Sequence, residues 1–346
     1  MRALVVTGPR QAEVQQVPEP VAGPGELLVE VERVGICGTD IELYTGEMAY
    51  IAQGFTHFPI RLGHEWTGTV LEAGSPDDRE WIGRRVTGDT MLGCGRCEYC
   101  AAGTHHVCPN RFEVGIRDGW PGALAEKVLV PTRFAHVIPE NVSVTAAALV
   151  EPGGNSLRAV RAAAIEPGHS VLVLGSGTIG LLAAQFALAA GAEVHVAGVR
   201  QDSLELASSL GVKHTCRLDE LDASPDGRFD AVIDATSLPA SPALAVRLAK
   251  PAGRAVFIGL SPTPSLLDSR ELVLKDVAAI GILSASPGLA GAIASFAEGA
   301  VVPDSIVSEV IALEDVPSRL EGHRGPLAKA GPKVHVDPRL RAGIPG

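Results

Sequence analysis

A glycine loop between an apolar strand and a helix restricts the fold more than any other stretch of this chain. Residues 171–196 read VLVLGSGTIGLLAAQFALAAGAEVHV, an apolar strand, a G-x-G-x-x-G loop, an alanine-rich helix and a second apolar strand. In such a unit Gly175 permits the tight turn, Gly177 lets a phosphate approach the backbone, and Gly180 lets the helix pack against the strand. The helix start adds free N–H groups and the positive end of the helix dipole. The expected pyrophosphate contacts are Gly175, Gly177, Thr178, Ile179 and Gly180. The alternative is a βαβ turn without a ligand.

The end of the second strand indicates which dinucleotide would bind. An NAD site usually carries an acidic residue there, which accepts hydrogen bonds from the ribose hydroxyls. This chain has Gly198 at that position and Arg200 two residues later. A missing carboxylate and a nearby guanidinium suit the 2′-phosphate of NADP, so NADP is the preferred cofactor and NAD remains possible. The alternative is that Arg200 is a solvated arginine in a βα loop.

Strand-like and helix-like segments divide the 346 residues into three stretches. From residue 153 to 288, continuous apolar strands alternate with helices, which is typical of a parallel sheet covered on both faces. Residues 1–152 contain mainly short strand-like runs bounded by Gly, Pro and Asp, which predict a β-rich domain. Residues 289–346 resemble the first stretch and are expected to return to it. The expected fold class is therefore α/β with two domains, as the length allows.

The charge balance excludes some classes of partner. The chain has 29 Lys and Arg against 40 Asp and Glu, a net charge of -11. Phosphate-rich surfaces would repel it, so no role on nucleic acid or anionic lipid is expected. The first residues do not resemble a signal peptide, and no apolar run is long enough to span a membrane. A cytoplasmic protein with a small-molecule substrate is expected, and clustered cysteines there favour metal binding over disulfides.

Four of the six cysteines lie in CGRCEYCAAGTHHVC. They are Cys94, Cys97, Cys100 and Cys108. The spacing C-x2-C-x2-C-x7-C is typical of a tetrahedral zinc site, and four thiolates leave no open coordination position. A structural zinc lobe over about residues 93–110 is therefore expected, with His105 and His106 as loop residues. An iron–sulfur cluster or a redox thiol pair are the alternatives.

A second set of candidate ligands is spread along the chain. Cys37 lies in VGICGTD, His64 and Glu65 lie in RLGHEWTG, and Glu151 lies in LVEPGGN. Taken singly, each has an ordinary explanation as a buried thiol, a core histidine or a surface carboxylate. Together, one Cys, one His and one Glu match the three-ligand shell of a catalytic zinc, with a fourth position open to water or substrate.

The motifs G-x-C-G-T-D, G-H-E, C-x2-C-x2-C-x7-C, E-P and G-x-G-x-x-G follow one another in this order over essentially the whole chain. This combination resembles the zinc-dependent medium-chain dehydrogenase/reductase family, and most of all its polyol, threonine and sugar dehydrogenases, where a glutamate replaces a cysteine as third zinc ligand. The resemblance implies a GroES-like catalytic domain with a Rossmann domain inserted before the final segment. It also implies two zinc ions per chain and a homodimer or homotetramer, in which the strand DVAAIGILSA is a candidate for pairing between subunits.

The resemblance also implies roles for individual residues. The catalytic zinc ligands would be Cys37, His64 and Glu151. Glu65 resembles a carboxylate that swings in as a fourth ligand, and Thr39 resembles the hydroxyl that takes the proton of the substrate alcohol. Asp40 would brace the loop.

Four residues depart from the family pattern or fall outside it. Glu42 stands where threonine-dehydrogenase relatives tend to have a histidine, which counts against threonine as substrate. Gly153 and Gly154 follow Glu-Pro where bulkier residues are usual, so a remodelled pocket wall is expected there. Cys216 fits no motif and is expected in the core.

The expected function is hydride transfer between a secondary alcohol and NADP. The alcohol would be of the polyol, sugar, aminocyclitol or amino-alcohol type, since pocket-lining loops set the substrate. One alternative is a non-catalytic zinc- and NADP-binding sensor. Others are a simple alcohol or ketone reductase and a zinc-free reductase of the same fold.

Overall fold

A computed structural model describes residues 1–221, 227–325 and 328–341 of the protein. The chain divides into two compact units. The first comprises residues 1–151 with the described parts of 307–329 and 333–346, and the second comprises the described parts of 152–306 together with 330–332. The first unit is thus built from both ends of the chain, and the second is inserted between them.

The first 151 residues fold mainly into short strands, in keeping with their runs of β-branched residues between Gly, Pro and Asp. The strands are β1 (Arg2–Gly8), β2 (Gln11–Gln16), β3 (Glu26–Gly35), β4 (Glu65–Ala73), β5 (Arg85–Gly88), β6 (Met91–Leu92), β7 (Phe112–Glu113), β8 (Lys127–Pro131) and β9 (Ala135–Val137). The helices are α1 (Gly38–Thr45), α2 (Ala49–Ala52), α3 (Glu98–Ala101), α4 (Val144–Ala148) and α5 (Val150–Ala162).

The second unit alternates strands and helices, as its apolar segments predict. Its strands are β10 (Ser170–Leu174), β11 (Glu193–Gly198), β12 (His214–Arg217), β13 (Phe229–Asp234), β14 (Ala249–Phe257) and β15 (Ala278–Gly281). Its further helices are α6 (Thr178–Ala189), α7 (Gln201–Ser209), α8 (Ser241–Leu248), α9 (Ser269–Lys275) and α10 (Leu289–Ala297). Within the described residues the strands form one sheet in the order β12-β11-β10-β13-β14-β15, with every neighbouring pair parallel.

The chain then returns to the first unit through β16 (Val307–Ile311), α11 (Val316–Leu320) and β17 (Lys333–Val336). These strands extend a sheet in the order β16-β17-β3-β4-β5-β9, and β8 also pairs with β3. Large apolar side chains of this unit, including Leu27, Leu62, Trp66 and Leu124, are fully buried in its core. The end of β3, the start of β4 and β17 are thereby held side by side.

Helix α10 lies in the second unit, whereas the sequence pattern assigns residues 289–346 to the returning segment. Phe296 of α10 stacks on Phe186 of α6, with ring centroids 6.2 Å apart. A Cβ on Gly153 would lie 2.9 Å from the Phe296 ring, and one on Gly154 would lie 3.0 Å from the Ala285 Cβ. The two glycines therefore let α5 pack closely against the α10 region. Residues 326–327 and 342–346 of the expected returning segment lie outside the described residues.

Across the described ranges, no helix combines the length and the apolar character that crossing a membrane requires.

Candidate active site and cofactor site

Three of the predicted metal-binding side chains converge in the first unit. The Cys37 Sγ, a ring nitrogen of His64 and a carboxylate oxygen of Glu65 all lie within 4.8 Å of one another. Cys37 stands just after β3, and Glu65 opens β4, opposite Gly35 in the antiparallel pairing of the two strands. A thiolate, an imidazole and a carboxylate at this spacing are a donor set that suits zinc.

Asp40 connects the two chain segments that carry this cluster. Its side chain is fully buried, and its carboxylate accepts hydrogen bonds from the backbone N–H of Cys37, at 2.8 Å, and of Gly63, at 3.2 Å. The two bonds tie the start of α1 to the loop that carries His64. Burial raises the pKa of the Asp40 carboxyl, and the charge of His64 and the two backbone bonds oppose that rise.

His64 experiences strong and opposing electrostatic effects. Its Nδ1 is buried without a hydrogen-bond partner among the described residues and lies 3.7 Å from Asp40 Oδ1. Burial on its own would lower the pKa of His64, but Asp40, then Cys37, then Glu151 raise that pKa, and the result lies well above the ordinary value. A buried imidazole among three acidic groups is a position where a bound cation would be stabilised.

Glu65 forms an ion pair that the sequence analysis did not find. The Nζ of Lys333 in β17 lies 2.6 and 2.8 Å from the two Glu65 carboxylate oxygens, and both side chains are buried. The same ammonium donates to the carbonyl of Ile36, at 2.9 Å. Burial would lower the pKa of Lys333, yet Glu65, Cys37 and Asp40 raise it, so the ammonium stays charged. Gly35 makes room for this pair, because a Cβ there would lie 2.1 Å from Glu65 Oε2.

Glu151 and Thr39 lie near the cluster in different ways. Glu151, in the first turn of α5, is 7% exposed and acts electrostatically on His64, but it is not a member of the group within 4.8 Å. Thr39 is half-buried in the first turn of α1, two residues after Cys37. Among the described residues no hydrogen bond occupies its hydroxyl.

The four remaining motif cysteines also converge. One sulfur from each of Cys94, Cys97, Cys100 and Cys108 lies within 4.8 Å of the others, and Cys97 Sγ is 3.6 Å from Cys108 Sγ. Sulfurs bound to one zinc at 2.3 Å in a tetrahedron lie roughly 3.8 Å apart, so the spacing fits a shared ion. Hydrogen bonds from backbone N–H groups, that of Arg96 foremost, lower the pKa of Cys94 to about 6. A thiolate is the form that binds zinc.

The two histidines near this lobe do not join its four thiolates as possible metal donors. A Cβ on Gly93 would lie 2.9 Å from Cys100 Sγ and 2.7 Å from the His105 Cβ, so the chain passes too close there for a side chain. His105 Nε2 contacts Asp89 Oδ2 at 2.7 Å, and His106 is buried. Neither imidazole belongs to the cysteine group.

The glycine loop has the geometry that its motif predicts. Gly175 has φ +103°, which favours glycine, and a Cβ on Gly180 would lie 1.9 Å from the Gly175 carbonyl oxygen. A Cβ on Gly177, by contrast, would meet nothing within 4 Å among the described residues. Gly177 is the N-cap of α6. Open space at a helix N-terminus is what a pyrophosphate requires.

The position of the usual acidic residue is filled by a different side chain. A Cβ on Gly198 would lie 2.2 Å from Ser176 Oγ and 2.7 Å from Ser176 Cβ. Ser176 is the middle residue of the G-x-G motif and is buried. The serine thus accounts for the glycine at the end of β11, since the two side chains could not both be present without a shift of the loop.

Two arginines stand at this edge of the sheet, each paired with an aspartate. Arg200 is held by Asp202, with Nε 3.0 Å from Oδ1. Arg217, at the end of β12 and beside Gly198 in the register, pairs with Asp219 at 3.0 Å and donates to the Val199 carbonyl at 3.3 Å. The interaction with Asp202 raises the pKa of Arg200 and lowers that of Asp202. A phosphate at Arg200 would therefore compete with a carboxylate already bound there.

Sequence reasoning missed three residues of these sites for different reasons. Lys333 could be suspected because it is a charged residue inside a strand-like run, but its partner lies 268 positions away. Ser176 could be suspected from its place inside the G-x-G motif. Arg217 had a signal in the repeated pattern Arg-x-Asp, which occurs at Arg200 and again at Arg217. Cys216 is partly buried and packs against the apolar cluster of the second unit.

Two family profiles match the chain. Residues 23–140 match the alcohol dehydrogenase GroES-like domain, and residues 178–298 match the zinc-binding dehydrogenase domain. The two matches confirm the expected fold class, a GroES-like domain with a Rossmann-type parallel-sheet domain.

Individual relatives agree with these matches. A sorbitol dehydrogenase from Halalkalibacterium halodurans is 30% identical over 300 residues, covering 83% of this chain and 85% of the relative. An L-threonine 3-dehydrogenase from Rhizobium johnstonii is 31% identical over 289 residues, covering 80% and 81%.

Solved structures extend the likeness to nearly the full length. A chain from Sinorhizobium meliloti 1021, provisionally assigned as a zinc-binding dehydrogenase and bound to NADP, has TM-score 0.88 and 32% identity over 97% of this chain and 99% of its own. An alcohol dehydrogenase from E. coli CFT073 in complex with NADH has TM-score 0.88 and 25% identity over 97% and 99%. The order of the motifs, the converging metal donors and these matches place the chain in the zinc-dependent medium-chain dehydrogenase/reductase family, to which it belongs.

Proposed function

We propose that this zinc-dependent alcohol oxidoreductase transfers hydride between NADP and a secondary alcohol of the polyol, sugar, aminocyclitol or amino-alcohol type. The observation that carries the proposal is the meeting of the partly buried Cys37 with the buried His64 and Glu65. Asp40 and Lys333 lie beside this group. In the forward direction the alcohol loses a hydride to NADP⁺ and a proton to the protein, which leaves a ketone and NADPH.

The residues that would hold a zinc ion are Cys37, His64 and Glu151, and Glu65 would be a fourth donor, its carboxylate within reach. A zinc ion held there supplies Lewis-acid chemistry, which lowers the pKa of a substrate hydroxyl. Asp40 orients His64 and the start of α1, and Lys333 balances the charge of Glu65. The half-buried Thr39 hydroxyl, two residues after Cys37, accepts the proton from the substrate and passes its own proton on toward solvent.

A second zinc ion is proposed at Cys94, Cys97, Cys100 and Cys108. The four sulfurs are mutually close, and a shell of four thiolates leaves no position for a substrate. This ion would hold the lobe of residues 93–110 in place and take no part in the reaction. The chain would then hold two zinc ions with separate roles.

The preference for NADP over NAD rests on the edge of the parallel sheet. Gly198 offers no carboxylate to repel a 2′-phosphate, Ser176 Oγ stands in its place, and Arg200 and Arg217 supply two guanidinium groups. The NADP-bound relative from Sinorhizobium meliloti supports this choice, while the NADH complex of the E. coli relative keeps NAD as the alternative. The pyrophosphate would contact Gly175, Gly177, Thr178, Ile179 and Gly180.

The substrate class rests on the relatives and on one helix position. Sorbitol and threonine dehydrogenases both match this chain at about the same identity. Glu42 in α1 is half-buried, and burial followed by the charge of Glu47 raises its pKa. A carboxylate there would repel the carboxylate of an amino acid, so a polyol, sugar, aminocyclitol or amino-alcohol is favoured over threonine.

A panel of such alcohols and the matching ketones, assayed with NADP(H) and NAD(H), tests the proposal. Turnover is followed by the absorbance of the reduced nicotinamide. We expect at least one polyol, sugar, aminocyclitol or amino-alcohol to be oxidised, with kcat/KM higher for NADP than for NAD. Activity confined to threonine would contradict the substrate class, and the absence of any turnover in zinc-loaded protein would contradict the enzyme.

We further propose a homodimer formed through β15. This strand is the last of its sheet, and three of its four residues are exposed. The neighbouring helix α9 exposes Val273 by 79% and Leu274 by 84%. An unpaired strand edge next to exposed apolar side chains is a surface that a second copy of the chain would cover.

A further inference from the structure

Two histidines and a glutamate meet on the second unit, apart from the residues described above. His195 of β11 and His214 of β12 are direct partners in the parallel pairing, and their rings stack with centroids 4.3 Å apart and an interplanar angle of 14°. Glu193 lies two residues before His195 and therefore on the same face of β11. One donor atom from each of the three residues lies within 4.8 Å of the others.

The distances fit a shared metal ion. Nε2 of His214 is 3.1 Å and Nε2 of His195 is 3.6 Å from the same oxygen, Glu193 Oε1. Nitrogen and oxygen ligands bound to one zinc at 2.0–2.1 Å in a tetrahedron lie roughly 3.3 Å apart. Both imidazoles bring Nε2 near one oxygen of Glu193. Because the stacked rings are nearly parallel and each nitrogen lone pair lies in its ring plane, one ring must rotate for both nitrogens to bind the same ion.

We propose that Glu193, His195 and His214 bind a divalent transition-metal ion, such as Zn²⁺ or Ni²⁺. Imidazole nitrogen suits both ions, and one carboxylate completes a three-ligand shell. The side chains of His214 and Glu193 are 49% and 56% exposed, so an ion can reach them from solvent. A cavity of about 520 Å³, lined in part by His195, His214 and Thr215, leaves room for water on the ion.

This site is separate from the proposed cofactor site. His195 pairs with Leu172, which lies two residues before the end of β10, whereas the glycine loop begins after Leu174. The ligands of the dinucleotide stand at the carboxyl ends of the strands. An ion at Glu193, His195 and His214 would instead link the edge strand β12 to its neighbour β11 within the sheet.

The test counts metal on the full chain after saturation with zinc. Zinc-loaded parent protein, His214→Ala and Glu193→Gln are dialysed against Ni²⁺, and bound nickel is measured by elemental analysis. We expect the parent to bind about one Ni²⁺ per chain more than either variant. His169→Ala is the matched control, because its imidazole also lies near a glutamate, 3.8 Å from Glu166. In the described part of the chain His169 belongs to no group of three possible metal donors, so this variant should bind as much nickel as the parent.

Thermal unfolding gives a second readout in case a variant is poorly folded. An ion that binds only the native state raises Tm with its concentration. The Tm of the zinc-loaded parent and of His169→Ala should rise with added Ni²⁺, and that of His214→Ala should not. Equal nickel content in the parent and His214→Ala, or equal rises in Tm, would overturn the metal site. Neither measurement depends on turnover, so the result stands apart from the proposed enzyme activity.

Discussion

At the scale of single residues, Lys333 and Glu65 form a buried ion pair whose two members come from distant parts of the chain. Removing one partner of a buried pair leaves a charge without compensation. We expect Lys333→Met to lower the free energy of unfolding by about 3–5 kcal/mol. The double variant Glu65→Gln/Lys333→Met should recover part of that loss. Denaturant titration of zinc-loaded protein measures both, and equal stability of Lys333→Met and the parent would contradict the coupling.

Thr39 is the residue proposed to take the substrate proton. Thr39→Val keeps the shape of the side chain but removes the hydroxyl, so zinc content and cofactor affinity should stay the same. We expect kcat to fall by about 10²- to 10⁴-fold, the range for a positioned proton-transfer group. Thr39→Ser restores a hydroxyl and should keep most of the activity. A Thr39→Val variant with kcat within about twofold of the parent would assign the proton transfer to another group.

In the proposed preference for NADP, Arg200 can bind the 2′-phosphate only when Asp202 releases its guanidinium. Because both side chains are substantially exposed, the pair is worth about 0.2–1 kcal/mol. Asp202→Asn should therefore raise kcat/KM for NADP relative to NAD by about 1.4- to 5-fold. The matched control is Asp219→Asn at the Arg217 pair, which tests whether the second guanidinium also contributes. A parent enzyme that prefers NAD, with no change in Asp202→Asn, would contradict the role of Arg200.

Reversing the proposed preference for NADP should require a substitution at Ser176 in addition to those at Gly198 and Arg200. The substitutions Gly198→Asp and Arg200→Ser supply the carboxylate and remove the guanidinium, but the new Cβ would meet Ser176 Cβ at 2.7 Å. The double variant should accordingly bind both cofactors poorly. Adding Ser176→Gly should produce an enzyme that prefers NAD, as measured by kcat/KM with each cofactor. Efficient use of NAD by the double variant alone would show that Ser176 does not obstruct residue 198.

At the scale of elements, a substitution in the cysteine lobe should lower stability, whereas substitutions at the start of α1 and α5 should lower activity. Cys97→Ser removes a ligand of the proposed four-cysteine zinc site, where metal-binding energy would be part of the folding energy. We expect Cys97→Ser to lower Tm and to lose one zinc per chain. Cys37→Ala or Glu151→Ala should lose turnover while the far-UV circular dichroism and the four-cysteine zinc stay in place. One zinc per chain in the parent, or full activity in Glu151→Ala, would contradict the two-site assignment.

The elements that the sequence predicted well are those with strong local signals. β10, α6 and β11 follow from an apolar run, a glycine loop and a second apolar run, and β3 and β4 follow from β-branched residues between turn residues. The local sequence pattern of α10 predicts a helix, but it does not predict which of the two units that helix joins. Phe296 decides that question by stacking on Phe186, a contact between residues 110 positions apart in the chain.

At the scale of the whole molecule, the proposed dimer depends on the exposed apolar surface of α9 and β15. Val273→Glu/Leu274→Glu places charge on side chains that are 79% and 84% exposed, so the fold of one chain should be unaffected. We expect this variant to be a monomer by light scattering, and the parent to be at least a dimer. Val302→Glu, at another exposed apolar position of the second unit, should keep the parent's mass. A monomeric parent would contradict the proposal.

The sequence by itself determined the features that short stretches of chain encode. The cysteine lobe, the glycine loop and the Gly-His-Glu motif are groups whose members are joined by few residues, so covalent spacing already places their atoms near one another. Their order along the chain was sufficient to predict the fold class and the family.

Only the tertiary structure decided the contacts between distant residues. Lys333 reaches Glu65 because β17 lies against β3, and His195 meets His214 because β11 and β12 pair in one register. Ser176 fills the space at Gly198 because the glycine loop turns back over the end of β11. Such contacts depend on which strands become neighbours and at what register, and a one-residue shift would turn these side chains to the opposite face of the sheet.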